Sequence, residues 1–191
     1  MSKLMGLPSH SFIGFFIKPN IKHEFMKNKD SAINPPPASK TYLAIVSLLT
    51  FVIPLTGFIL EHLINKSGLT FLLFGKWFIF SAVGLRLFMA GLRQTTQPGF
   101  TSRQIFHIEG PEALPIVREL GFANLCFGLV GLIALFIPGW RVVSAAASGL
   151  YYGLAGLQHL IKRPAGANEW FALWTDLLIF ALLALFLFLS V

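Results

Sequence analysis

Cysteine and charge are the two things this chain has little of. One cysteine, Cys126, stands among 191 residues. A single thiol cannot close an intrachain disulfide or build a CxxC metal or redox site, which excludes disulfide scaffolds and dithiol redox enzymes. Charged residues make up 12% of the chain, against about 25% in an average soluble domain. With 55% apolar residues and a mean hydropathy of +0.71, too little charge is left to cover a globule, so a soluble fold is excluded. Acidic residues are the scarcest, 8 against 15 Lys and Arg, for a net charge of +7. There is no internal repeat of 20–50 residues, no GxSxG nucleophile motif, and no HxxxH or ExxH spacing of the kind that gathers metal ligands on one helix face. Neither a metal site nor a nucleic-acid partner is expected.

Long uncharged runs take the place of what is missing. A bilayer core of about 30 Å needs about 20 apolar residues per helix, and five runs qualify: Tyr42–Leu60, Leu69–Leu92, Ile116–Ile137, Val142–Ile161 and Trp170–Val191. The sequence therefore predicts an all-α integral membrane protein, a five-span bundle over residues 41–191 behind a basic tail, residues 1–40. Cytoplasmic loops carry the excess of Lys and Arg. The tail (Lys3, Lys18, Lys22, Lys27, Lys29, Lys40), Arg93, Arg103, Lys162 and Arg163 fall on one side, and Lys66 and Arg141 on the other. That balance predicts a cytoplasmic N-terminus and an external C-terminus, in a bacterial inner membrane. The tail has one short apolar run, Ser11–Ile17, and no cleavage-site pattern, so it does not read as a cleaved signal. Two readings of it stay open: an arm lying on anionic lipid, and a disordered segment whose lysines only fix topology.

Ionisable side chains inside a span need a partner, a wet cavity or a route to the interface. In the predicted orientation Arg86 and Asp176 each lie about six residues, roughly 9 Å, from the cytoplasmic end of their helices. Arg118, Glu119 and Asn124 open the third span, and Gln158 and His159 close the fourth. These seven residues form one expected layer, with Gln104, His107, Glu109 and Glu112 of the long loop above it; the outer half has little beyond Lys76. The layer reads either as a polar cavity for a small amphipathic or lipid-like ligand, or as internal ties such as Arg86–Asp176, Arg118–Glu119 or Arg118–His159 that hold helices together in lipid. A general-base role for His159 or Glu119 is chemically open, and no residue is singled out as catalytic. Cys126 lies in an apolar stretch where a thiol is a small buried group.

The fourth span carries small residues at Ala145, Gly149, Gly153 and Gly156, including a GxxxG match that fits close packing within the bundle or a homo-oligomer. Tyr152 and His159 fall seven apart on another stripe. Trp170 and Trp174 read as interfacial anchors of the last span.

The stretch Phe106–Leu132, FHIEGPEALPIVRELGFANLCFGLVGL, resembles the signature block of small, uncharacterised bacterial membrane proteins of DoxX-like type. Glu119, Gly121, Phe122, Ala123, Asn124, Gly128 and Gly131 fit it, Gly153, Gly156 and His159 match a Gly-rich helix ending in His, and Asn168 and Asp176 match an Asn-loop-Asp opening of the last helix. The resemblance covers roughly residues 70–190. It departs at Ala113–Val117, where the family has a Ser-Pro-Phe-Gln sequence, and in the added basic tail. It implies a helical membrane bundle and, by analogy of fold only, a link to quinone-coupled chemistry. The functional expectations are thus a ligand-binding membrane protein, a quinone-linked membrane oxidoreductase, or an accessory subunit of a membrane complex; no cofactor is specified.

Overall fold

The computed structural model describes residues 39–190, except residues 107 and 165 and the side chain of Gln104. Most of the basic tail lies outside the described residues, and with it both readings of that tail. Among the described residues every regular element is helical. Helix α1 runs Lys40–Asn65, α2 Phe71–Thr96, α3 Pro98–Gln104, α4 Ala113–Ile133, α5 Gly139–Lys162 and α6 Ala167–Ser190.

The helix ends follow from local chemistry. The Ser39 hydroxyl accepts from the Tyr42 backbone N–H at 3.3 Å and Thr70 Oγ1 from that of Leu73 at 3.2 Å, so each starts a helix by satisfying an orphan donor. Lys66 ends α1 in the left-handed region at φ 50°, and His62 Nδ1 bonds the Ser67 carbonyl beyond it. Arg141 reaches back to the last turn of α4, donating to the carbonyls of Ala134 at 3.0 Å and Leu135 at 3.3 Å.

Four helices are long and apolar enough to cross a bilayer: α1, α2, α4 and α6. These are the helices of a multi-pass membrane protein, and the fold is all-α as expected. The expected count of five is corrected to four on this measure. The fourth expected span does form a helix, α5, of 24 residues, but its inward face is small and polar. Ser144, Ala145, Ser148, Gly149, Tyr152 and Gly156 are buried there, while Arg141, Gln158, His159 and Lys162 occupy its ends. Apolar residues are pushed to the outside, with Val143, Leu150, Leu154, Leu157 and Ile161 all exposed. Averaging over the helix hides that stripe.

Packing is dominated by two pairs, α2 with α4 and α5 with α6. The first pair is a glycine seam. A Cβ on Gly131 would lie 2.7 Å from the Gly84 Cα, one on Gly91 2.7 Å from the Gly121 carbonyl oxygen, and one on Gly128 2.4 Å from the Phe88 nitrogen. Backbones in lipid approach this closely only where side chains are absent. In the second pair Gly153 and Gly156 make room for Phe180 and Leu177 of α6, so the GxxxG stretch of α5 is used within the chain.

Two π-helical segments, Leu48–Val52 in α1 and Ile79–Leu85 in α2, lie at mid-helix. A π-turn loosens the regular carbonyl ladder, and here side chains from neighbouring helices meet the carbonyls of both segments. Ser81 Oγ donates to the Leu49 carbonyl at 2.6 Å, and the Tyr152 hydroxyl to the Ala82 carbonyl at 2.9 Å. These bonds tie α1, α2 and α5 together at the level just above the polar layer.

Candidate functional site

At the end of the bundle where α1 and α6 begin and α2 and α5 finish, the two helix pairs stand apart and enclose a cavity of about 580 Å³. Arg86 is its anchor. Its Nη2 donates to Asp176 Oδ1 at 2.7 Å and to Thr175 Oγ1 at 3.2 Å, and the guanidinium lies 5.2 Å from the centre of the Tyr152 ring. Both side chains of the pair are buried, 10% and 9% exposed. A guanidinium has more donors than one carboxylate oxygen uses, and Arg86 Nη1 is buried with no hydrogen-bond partner among the described residues.

Asn124 faces the same space from α4. Its Nδ2 donates to Gln94 Oε1 of α2 at 2.6 Å, while its Oδ1, in a residue 2% exposed, has no partner among the described residues. Among these residues the cavity thus holds a spare donor and a spare acceptor. Leaving such groups unmade in a dry site is unfavourable by about 1–3 kcal/mol each.

The mouth is closed over by α3 and the segment after it. Phe100 of α3 stacks under the Arg93 guanidinium at 3.4 Å, Ser102 Oγ donates to the Ile108 carbonyl at 2.5 Å, and Lys162 Nζ reaches the Phe106 carbonyl at 3.5 Å. The start of α6 is fixed to α1 where Asn168 Oδ1 accepts from the Ser39 backbone N–H at 2.9 Å. About half of the lining is apolar, from Ile45, Val46 and Leu49 of α1 to Leu120 of α4 and Ala155 of α5.

Of the seven residues expected in the layer, Arg86, Asn124, Gln158, His159 and Asp176 line this cavity. Arg118 and Glu119 do not; they are exposed and outside the lining, and neither enters an ion pair among the described residues. The reason is helical phase. Val117, Gly121, Asn124 and Gly128 form the buried face of α4, and at about 100° per residue Glu119 points about 200° away from Val117. The Arg118–Glu119 and Arg118–His159 ties are corrected accordingly. Glu109 and Glu112 are exposed and also outside the lining, and the side chains of Gln104 and His107 lie outside the described residues.

Residues 44–191, about three quarters of the chain, match the model of a family of unknown function, DUF6790. The chain belongs to the DUF6790 family. No curated protein and no solved structure matches it. The match is to an uncharacterised family, as the resemblance implied, and it carries nothing of DoxX.

In this DUF6790 chain the residues that sequence reasoning passed over are Tyr42, Tyr151, Arg93 and Gln94, all in the lining. A signal for the tyrosines was present. The chain has 20 Phe and only 3 Tyr, and all three tyrosines, Tyr42, Tyr151 and Tyr152, face the cavity. Where phenylalanine serves elsewhere, a hydroxyl marks the place where a polar tip is used. Also passed over was Glu61, one residue beyond the expected first span. It lies within α1, and both its oxygens accept from Lys76 Nζ, at 2.8 and 2.6 Å, while Oε2 also takes the Trp77 Nε1–H at 2.7 Å.

Proposed function

We propose that the cavity binds a small amphipathic molecule taken from the bilayer. On this reading the protein is a ligand-binding module of a bacterial cytoplasmic membrane. The observation that carries it is the pair of buried, unpartnered atoms, Arg86 Nη1 and Asn124 Oδ1, set in a half-apolar cavity of about 580 Å³. That volume falls within the range of about 300–1,000 Å³ typical of small-molecule sites. A purely structural ion pair would need neither the spare donor nor the space.

In this proposal α5 also crosses the membrane. Its 24 residues span about 36 Å at 1.5 Å per residue, and its exposed apolar stripe meets lipid while its polar face looks inward. Five crossings place the N- and C-termini on opposite sides, and the Lys and Arg balance puts the N-terminus in the cytoplasm. A C-terminal reporter read outside the cell, with an N-terminal one inside, supports this arrangement; both termini on one side overturn it.

The binding reading is tested by native mass spectrometry of the full chain released from a mild non-ionic detergent. A bound species of lipid-like mass is expected with the wild type. It should be absent from Ala155→Phe, which fills the lining without touching the ion pair and should leave the melting temperature unchanged. An empty wild type, even after incubation with a total membrane lipid extract, contradicts the proposal.

A further inference from the structure

We infer that the ligand class is a single-chain phospholipid with one net negative charge and a free hydroxyl beside its acyl ester, a lysophospholipid-type amphiphile. The inference rests on the binding role proposed above and follows from how charge and hydrogen-bond capacity are distributed along the cavity.

Among the described residues of the lining, three side chains are firmly cationic, Arg86, Arg93 and Lys162, and two are acidic, Glu169 and Asp176. Leaving His159 out of the count, these residues carry one excess positive charge. That excess is not at the deep end, where Arg86 and Asp176 are paired at 2.7 Å. It lies at the mouth. Among the described residues Arg93 meets the Phe100 ring face and Lys162 one carbonyl at 3.5 Å. Both contacts leave their N–H groups able to hold an anion, and a phosphodiester supplies one negative charge with several acceptor oxygens.

The deep end makes a different demand. Because the ion pair is already neutral, what is missing is one acceptor for Arg86 Nη1 and one donor for Asn124 Oδ1. A carboxylate supplies no donor. A glycerol carrying one acyl ester supplies both, its ester carbonyl accepting from Arg86 and its neighbouring hydroxyl donating to Asn124. In a two-chain lipid that hydroxyl is esterified and the donor is gone.

Size agrees. At about 30 Å³ per water-sized heavy atom, about 580 Å³ holds about 20 such atoms, enough for phosphate, glycerol and ester, about a dozen, and the first part of a chain. The rest of the chain must leave sideways. Leu154 and Met89 line the cavity and are 66% and 45% exposed, and the inference has the chain leave the cavity past these two side chains.

The test is equilibrium binding of radiolabelled 1-oleoyl-lysophosphatidylglycerol to the full chain in phosphatidylcholine nanodiscs, competed by four unlabelled molecules. Dioleoylphosphatidylglycerol lacks the free hydroxyl on the acylated glycerol, 1-oleoylglycerol lacks the phosphate, oleate lacks the ester and the hydroxyl, and glycerol 3-phosphate lacks the chain. The unlabelled lysophospholipid should compete at least about tenfold better than any of them, the factor expected for one hydrogen bond to a buried polar group. Arg93→Gln and Lys162→Gln, both outside the ion pair, should each reduce the advantage over 1-oleoylglycerol. Asn124→Leu should reduce the advantage over the two-chain lipid, and melting temperatures measured alongside confirm that the variants fold. If all the chain-bearing competitors bind within about twofold of each other, this inference fails while the amphiphile site stands. If glycerol 3-phosphate competes as well as the lysophospholipid, the ligand is a free phosphate ester and the inference fails. If the labelled lysophospholipid does not bind and no chain-bearing molecule does, both readings fall together.

Discussion

The two ends of the bundle each carry a carboxylate paired with a cation, and they solve the same problem in opposite ways. At the end where α1 finishes and α2 begins, Glu61 uses both oxygens, taking Lys76 Nζ twice and Trp77 Nε1 once, and its side chain is 16% exposed against 20% for Lys76. At the opposite end Asp176 and Arg86 are more deeply buried, yet Arg86 Nη1 has no partner among the described residues and the pair opens on a cavity. A pair that only holds helices together completes its hydrogen bonds, as the Glu61 pair does. On the proposed reading, an incomplete pair beside open space is arranged to receive a ligand, and the contrast with Glu61 is what separates a site from a tie.

That contrast can be broken or sharpened by substitution, with stability followed by denaturation in detergent. Asp176→Asn should have the largest effect, about 3–5 kcal/mol, because it strands a buried guanidinium; combining it with Arg86→Gln should lose less than the sum of the two single changes. Gly128→Val comes next, about 1–3 kcal/mol, since its Cβ would lie 2.4 Å from the Phe88 nitrogen and the α2–α4 seam would have to separate. Glu61→Gln should be smaller, about 1 kcal/mol, as solvent reaches both partners of that pair and the amide still accepts one bond. Glu119→Gln should change stability by less than about 0.5 kcal/mol, the usual range for an exposed position. An effect of Glu61→Gln as large as that of Asp176→Asn would erase the distinction between the two ends.

How much was legible in the sequence depended on which physical variable was being read. Depth along a helix is a matter of counting residues, so the common layer of Arg86, Asn124, Gln158, His159 and Asp176 could be written down from span boundaries. Direction around a helix needs the buried face to be known. Glu119 sat at the right depth and the wrong azimuth, because α4 buries its glycines and Asn124 and turns Arg118 and Glu119 outward. The same limit explains α5. Its apolar stripe and polar interior cancel when hydropathy is averaged, so the helix is visible and its relation to the bilayer is not. The π-helical segments had no signature in the residue pattern, and the side chains that meet their carbonyls, Ser81 and Tyr152, come from other helices. The tyrosines were legible in principle: three in a chain of 20 phenylalanines, each needing a reason for its hydroxyl.

The central claim is that the space beside Arg86 is built to be filled. The most direct measurement is an experimental density map of the protein purified in mild detergent without added ligand, inspected between Arg86 Nη1 and Asn124 Oδ1. The account predicts elongated, non-protein density there, with a polar end within hydrogen-bond distance of both atoms and an extension toward Leu154 or Met89. A map in which α1, α4 and α5 close on each other, with Arg86 Nη1 and Asn124 Oδ1 both bonded to protein atoms and no volume between them, would contradict it and leave Arg86–Asp176 as a tie like the one at Glu61.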